Sequence, residues 1–165
     1  MHKQIVNFYM HVLKRNYVDI EVVDVFFVTA VTSKRNPEKY LPPGWIQRNR
    51  LVMIPVLLRD HWSLVVLDVQ NSTIRSLDSR AGKSRAPLFV WRYLLSTSWS
   101  KKKWKIEKFE NIPQQNNGHD CGVFMLQFAR SEANQRLPDF SQGDVSRIRK
   151  IMVHEILSGS LFEEP

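Results

Sequence analysis

Residues 51–78, LVMIPVLLRDHWSLVVLDVQNSTIRSLD, contain three apolar segments separated by short polar breaks. The segments are residues 51–58, 62–69 and 73–78. Apolar runs of this length, bounded by polar residues, are typical of β-strands, and short breaks favour antiparallel pairing of consecutive strands. We therefore predict a sheet built on these three strands. Pro55 is the one residue that argues against the first strand, because proline has no N–H to donate to a neighbour.

Segments with helical periodicity flank this sheet on both sides. In residues 4–16 the apolar side chains follow the i, i+3, i+4, i+7, i+8 spacing of an amphipathic helix: Ile5, Phe8, Tyr9, Val12 and Leu13. Further helices are predicted over residues 86–99, 121–135 and 142–157. The inward face of the last helix is predicted to carry Val145, Ile148, Ile151, Met152 and Ile156.

Two more apolar runs, residues 22–30 and 103–109, are predicted to be strands, the first short and buried and the second alternating. Residues 33–50 contain three prolines and a glycine, which predict an irregular connection with one helical turn. Repeats and linkers are absent from the sequence. We therefore expect residues 1–165 to form one α+β domain, a small mixed sheet packed against helices.

Composition limits the setting in which this chain works. A chain of 165 residues with 43% hydrophobic residues and a single cysteine favours a globular domain without an internal disulfide. The sequence has no signal-peptide pattern and no apolar run of membrane-spanning length, so an intracellular setting is expected. The net charge of +8 comes with four basic clusters, which are more typical of solvated loops than of a nucleic-acid interface. They lie at residues 33–35, 48–50, 83–85 and 101–105.

The single cysteine, Cys121, lies in NNGHDCGVF (116–124), where a polar loop meets an apolar helix. A thiol attacks as its thiolate, and the positive end of a helix dipole and a neighbouring imidazolium both favour that form. The alternative interpretation of Cys121 is a buried filler. Its place at a predicted helix start favours a nucleophile.

Of the five histidines, His61 is the best candidate for a general base, because it lies in the break between two strands. Asp78 ends the next strand, seventeen residues later, where it could lie beside His61 and orient the imidazole. His119 shares the loop of Cys121 and remains an alternative base. Gln115, six residues before Cys121, offers an amide donor for an oxyanion, although glutamine is also an ordinary loop residue.

These motifs resemble the ubiquitin-like-protein-specific (sentrin/SUMO-specific) cysteine protease family. The resemblance rests on VNFYM near the start, HWSLVVLD, LDS seventeen residues after the histidine, and IPQQNNGHDCGVF. It covers residues 4–157 and implies a papain-like cysteine proteinase fold of the adenain/ubiquitin-like protease type. Carried over by residue, it implies His61 as base, Asp78 as its orienter, Gln115 as oxyanion donor and Cys121 as nucleophile.

The resemblance also implies that Trp62 lines a tunnel for the Gly-Gly tail of a modifier and that Phe26 touches the modifier's body. The implied activity is cleavage after that tail, by deconjugation or by precursor processing. It implies SUMO and its conjugates as partners, no metal or cofactor, a monomer, and work in the nucleus or cytoplasm, or in a host cell for a secreted effector.

At its start the sequence departs from the family pattern. Family members carry WLNDEVINFYM, whereas this sequence has MHKQIVNFYM, so the domain is expected to be N-terminally short and to lack the tryptophan lid of the tunnel. Lys3 and Gln4 stand at the acidic pair. This departure leaves two alternatives open: a protease for ubiquitin or another ubiquitin-like modifier, and a weakly active modifier-binding module. The basic clusters leave a third, a nucleic-acid-binding domain.

Overall fold

The computed structural model describes residues 1–80, 84–108 and 111–162. Its centre is a five-stranded sheet in the order β1-β2-β3-β4-β5. The strands are β1 (Ile20–Val22), β2 (Leu51–Leu58), β3 (His61–Asp68), β4 (Thr73–Leu77) and β5 (Lys105–Lys108). The pairs β2–β3 and β3–β4 are antiparallel, and β1 and β5 are parallel to their neighbours. The predicted three-strand core and the mixed sheet are confirmed; Phe109, at the end of the predicted last strand, lies outside the described residues.

Within the described ranges, five helices surround the sheet. They are α1 (Lys3–Asn16), α2 (Phe27–Thr32), α3 (Ala86–Leu95), α4 (Cys121–Ala133) and α5 (Val145–Ser158). Short 3₁₀ turns occur at Glu38–Tyr40, Ser98–Lys101 and Gln142–Asp144. The four predicted helices are confirmed: α1 begins one residue earlier than predicted, and the other three are shorter than predicted. The helical turn expected between residues 33 and 50 is the first 3₁₀ turn. Among the described residues, none of the helices has the length and apolar character needed to cross a bilayer.

The sheet buries both of its faces. Trp62, Leu64 and Val66 of β3 belong to a core shared with α1, α4 and α5. The alternate residues Val65 and Leu67 belong to a second core shared with α2 and α3. Successive side chains of a strand point to opposite faces, so a strand covered on both sides is apolar throughout rather than alternating. Each of these buried side chains contributes about 1.5–3 kcal/mol to folding.

A two-residue turn fixes where β3 begins. Arg59 and Asp60 have φ of 51° and 59°, and Leu58 pairs with His61 across the turn. Two successive residues with left-handed φ form the hairpin turn whose twist matches that of its strands. The turn therefore sets His61 as the first residue of β3.

Pro55 is compatible with β2 because of where β1 ends. β1 pairs only with Leu51–Met53, and the Met53 carbonyl accepts the Val23 N–H at 2.9 Å. Residues two apart in a strand direct their backbone groups to the same side, so the backbone nitrogen of Pro55 points to the same edge of β2 as Met53. That edge is no longer paired at Pro55, because β1 ends opposite Met53. The missing N–H of Pro55 costs the sheet no hydrogen bond.

The predicted strand over residues 22–30 is wrong. The chain leaves β1 at Val22 and turns at Asp24, whose carboxylate accepts the Phe26 N–H at 2.8 Å and whose carbonyl accepts the Phe27 N–H at 3.0 Å. This turn starts α2. A short β-branched and aromatic run has no periodicity that separates a strand from a buried helix.

The predicted inward faces of two helices need correction. In α1, Ile5 and Phe8 are 42% and 41% exposed, while Val6 and Met10 are buried, because α1 packs against β1 as well as α4 and α5. The buried side of α1 is therefore rotated from the predicted stripe. In α5, Val145, Ile148 and Met152 are buried as predicted, whereas Ile151 and Ile156 are only half-buried.

Glu155 is the unpredicted inward residue of α5, with 0% exposure. Its carboxylate is 2.6 Å from Arg130 Nη1 of α4 and accepts the Tyr9 hydroxyl of α1, also at 2.6 Å. Burial, followed by the hydrogen bond to Glu155, raises the pKa of Tyr9 well above its usual range. The Phe162 N–H adds a further bond to Glu155 at 2.9 Å. A buried carboxylate is stable only with such partners, and this one links three helices.

Candidate active site

His61 and Asp78 meet because of the register between β3 and β4. Leu64 lies opposite Leu77, so the next step along the chain places Asp78 opposite Ser63. His61 is two residues farther on the same side of its strand, and such diagonal neighbours are within side-chain reach. His61 Nε2 and Asp78 Oδ1 are 2.5 Å apart, and both side chains are largely buried. The seventeen-residue spacing in the sequence thus corresponds to a hydrogen-bonded pair.

The second ring nitrogen of His61, Nδ1, is available to interact with a further group. His61 Nδ1 is buried and has no hydrogen-bond partner within residues 1–80, 84–108 and 111–162. Buried polar atoms are normally paired, so an unpaired imidazole nitrogen marks a place where a proton can be exchanged.

Cys121 is the first residue of α4, where the sequence predicts a helix start, and it is a free thiol with 5% exposure. The next residue, Gly122, lies against the neighbour of His61: a Cβ placed on Gly122 would be 3.4 Å from Trp62 Cδ1. The start of α4 therefore packs beside the start of β3. The positive end of the α4 dipole favours an anion at Cys121.

Gln115 is fixed by a residue that sequence reasoning missed. Ser79, which is 1% exposed, donates its hydroxyl to Gln115 Oε1 at 2.6 Å, and its carbonyl accepts the Gln115 N–H at 2.8 Å. Gln115 Nε2 donates one hydrogen to the Asn117 carbonyl at 2.5 Å. The amide nitrogen carries two hydrogens, so the second remains for another acceptor.

Two further bonds join the same loops. Gln114 Nε2 donates to the Asp78 carbonyl at 3.2 Å, and Arg80 Nη2 donates to the Gly118 carbonyl at 3.3 Å. The Arg80 N–H also donates to Asp78 Oδ1 at 3.0 Å. Residues 78–80 and 114–118 consequently form one hydrogen-bonded unit, called here the paired loops. In the sequence, this unit is indicated only by the polar character of the two loops.

Trp62 is 2% exposed and lies under the first residue of the chain. Its indole Nε1 donates to the Met1 carbonyl at 3.2 Å. A Cβ on Gly122 would come within 2.8 Å of Met1 Cβ and 3.2 Å of Met1 Sδ. Met1 therefore occupies the space beside Trp62 and Gly122. The missing tryptophan lid had led us to expect that the tunnel would be open at this place.

Phe26 lies on the surface, 39% exposed, in a row of aromatic and cationic side chains. The Lys3 ammonium is 4.8 Å from the centre of the Phe26 ring, which is 6.0 Å from the ring of Tyr40. The Lys39 ammonium is 4.8 Å from the centre of the Tyr40 ring. Cations over aromatic faces are mutually attractive. We call Lys3, Phe26, Tyr40 and Lys39 the aromatic–lysine row.

The alternative base, His119, has a side chain that is 77% exposed. Its Nε2 is 3.9 Å from Asp120 Oδ1, a weak and solvated contact. A side chain so open to water is a poor general base compared with the enclosed imidazole of His61. Among the described residues there is also no group of three or more His, Cys, Asp or Glu suited to bind a metal ion.

Residues 1–161 match the model of the Ulp1 protease family, C-terminal catalytic domain. A sentrin-specific protease from Caenorhabditis elegans is 32% identical over 177 residues, which is 98% of this chain and 25% of that protein. This chain thus spans about a quarter of the length of that curated relative.

Solved structures show the same fold. The C-terminal Ulp1 protease domain in complex with Smt3, the yeast ortholog of SUMO, superposes with a TM-score of 0.80 at 21% identity, over 96% of this chain and 77% of that one. The Xanthomonas campestris effector XopD bound to ubiquitin superposes with a TM-score of 0.62 at 17% identity, over 100% and 84% of the two chains. The α+β fold is therefore that of Ulp1-type catalytic domains, and the chain belongs to the Ulp1 protease family.

Proposed function

We propose that this chain is a cysteine protease that cleaves after the C-terminal Gly-Gly of a ubiquitin-like modifier, with SUMO as the first candidate. It would act on conjugates as an isopeptidase, on precursors as a processing peptidase, or on both. The observation that carries this proposal is the enclosed His61–Asp78 pair beside a helix that begins with a free thiol.

The proposed mechanism uses only groups of this chain and water. The Cys121 thiolate attacks the carbonyl carbon of the last glycine, and the carbonyl oxygen becomes an oxyanion. His61 then donates its proton to the leaving amine, which gives a thioester. Water attacks the thioester while His61 takes its proton, and the modifier leaves with a free carboxylate. Asp78 holds the imidazole and stabilises its charged form.

Two donors are proposed to stabilise the oxyanion. One is the second hydrogen of the Gln115 amide, whose orientation is set by Ser79. The other is the backbone N–H of Cys121, because the first N–H groups of a helix have no partner within the helix.

For the modifier, the sentrin-specific relative and the structural neighbour bound to Smt3 favour SUMO. The structural neighbour bound to ubiquitin keeps ubiquitin as the second candidate. We propose the nucleus or cytoplasm as the site of action, because a thiolate nucleophile stays reduced there. The test is a panel of SUMO, ubiquitin and other modifiers with an electrophile at the C-terminus. We expect SUMO to label Cys121 fastest; failure of every modifier to label it would refute the proposal.

A Gln115→Ala variant will lower kcat by roughly 10²-fold with little change in KM, because the amide meets the oxyanion mainly in the transition state. A Gln115→Glu variant, which keeps the shape and replaces the donor with a carboxylate, will be at least as slow. The measurement is steady-state hydrolysis of a SUMO reporter with a fluorogenic amine on its last glycine. A rise in KM at constant kcat would instead make Gln115 a binding residue.

A Gly122→Ala variant will separate activity from stability. Alanine is the better helix former by about 0.5–1 kcal/mol, and this gain opposes the cost of the shift that the new methyl group forces, so the unfolding midpoint will change little. The new methyl group would lie 2.8 Å from Met1 Cβ, which forces a shift beside Cys121. We expect kcat/KM on the SUMO reporter to fall about tenfold, since small misplacements at a reacting centre are costly.

Gly118→Ala is the matched control, because a Cβ there meets nothing closer than Arg80 Nη2 at 4.0 Å. Equal kcat/KM for the Gly122→Ala variant and the parent would mean that the space beside Cys121 is not limiting.

A further inference from the structure

The carboxylate of Asp120, the residue before Cys121, is surrounded by hydrogen-bond donors. Asp120 is 4% exposed and stands at the N-cap of α4, yet its side chain makes no capping bond. Its Oδ2 accepts from Asn117 Nδ2 and Gln142 Nε2, each at 2.7 Å. Its Oδ1 accepts from Arg149 Nη2 at 2.5 Å. Burial raises the pKa of Asp120, but the bonds from Arg149, Asn117 and Gln142 outweigh it and lower the pKa to about 2.

The same side chains also hold the loop that leads to the thiol. Asn117 Oδ1 accepts the N–H groups of His119 and Asp120, each at 3.1 Å. Gln142 Oε1 accepts the N–H of Asn116 at 3.0 Å while its amide nitrogen binds Asp120. One glutamine side chain thus bridges the start and the end of this loop.

The donors come from a part of the chain that is itself fixed. The Ser141 N–H and hydroxyl donate to Asp144 Oδ2 at 2.9 and 2.8 Å, a capping box on the 3₁₀ turn before α5. Arg149 follows on α5, between the buried Ile148 and Met152. The turn and helix therefore hold the backbone of Gln142 and of Arg149, whose side chain is 44% exposed, on fixed elements.

We propose that Arg149 and Gln142 are positioning residues for Cys121 and act through Asp120. This inference rests on the proposed function of Cys121 as the nucleophile. Bonds to a side chain next to the thiol orient the first turn of α4, and so the sulfur and the Cys121 N–H. In addition, the guanidinium of Arg149 balances the negative charge of Asp120 next to Cys121.

The test compares Arg149→Ala, Arg149→Lys and the matched control Arg147→Ala in the full chain. Arg147 lies on the same helix, but its side chain is 68% exposed. Its contact with Asp144 is long, with 3.6 Å between Arg147 Nη2 and Asp144 Oδ1. Two rates are measured: alkylation by iodoacetamide and hydrolysis of the SUMO reporter. Cys121 is the only cysteine in the sequence, so alkylation reports on this thiol alone.

We expect Arg149→Ala to slow alkylation severalfold and to lower kcat by about tenfold or more, with KM within about twofold of the parent. Arg149→Lys should recover most of both losses, because it restores a cation and a donor. Arg147→Ala should match the parent.

The inference is overturned if Arg149→Ala matches the parent in both rates, if lysine gives no recovery, or if Arg147→Ala loses as much as Arg149→Ala. Thermal unfolding of each variant identifies a loss that comes from unfolding, which also counts against a positioning role. If the parent does not hydrolyse the reporter but the alkylation rates keep the expected order, the proposed function fails and the positioning of the thiol stands.

Discussion

A Cys121→Ala variant will release the amine from the SUMO reporter no faster than buffer without enzyme does. Its kcat will fall by more than about 10³-fold, because the proposed mechanism has no other group that can form the thioester. The fold will survive, since the change removes one sulfur atom from a core position and costs on the order of 1 kcal/mol. The measurements are single-turnover hydrolysis and the unfolding midpoint.

Binding supplies the control for this variant. Recognition of the modifier's body does not need the sulfur, so the Kd of Cys121→Ala for SUMO should stay close to that of the parent. Hydrolysis by Cys121→Ala at a rate similar to the parent would rule out a cysteine protease.

A His61→Ala variant will lose about 10³-fold in kcat, within the usual range for general acid–base catalysis by one group. The matched variant, His119→Ala, will keep at least about a tenth of the activity, because the exposed side chain of His119 is poorly placed to serve as base. Asp78→Asn will be less severe than His61→Ala, since asparagine keeps the contact and changes the tautomer and charge.

If His119→Ala is instead the slower of the two variants, the loop histidine is the base.

The strands could be predicted where the sequence pattern has a single structural solution. β2 and β3 are long apolar runs around a two-residue turn, and a sheet covered on both faces requires that pattern. The pattern of residues 22–30 is compatible with a strand or with a buried helix. The side chain of Asp24 starts α2 and so favours the helix. Ile5 and Phe8 were misplaced because helical periodicity gives the spacing of an apolar face but not which neighbours will cover it.

The residues of the candidate site also fall into those that could be predicted from the sequence and those that could not. The seventeen-residue spacing of His61 and Asp78 could be used, because it follows from two strands and one short connection. Ser79 and Arg149 could not be found, since their partners, Gln115 and Asp120, lie 36 and 29 residues away along the chain. Contacts over such separations depend on how helices and loops pack, and no local pattern records them.

The aromatic–lysine row is built differently from the paired loops. Lys3, Phe26, Tyr40 and Lys39 touch each other through ring faces and ammonium groups. Within the described residues, the side chains of this row make no hydrogen bond to His61, Asp78, Gln115 or Cys121. A substitution in the row therefore leaves the reacting groups in place, whereas the loss of a hydrogen-bonding side chain in the paired loops, such as that of Ser79 or Gln115, disturbs several of them together. If Phe26 touches the modifier, as the family resemblance implies, recognition of the modifier can change through substitutions in the row while the proposed catalytic groups keep their positions.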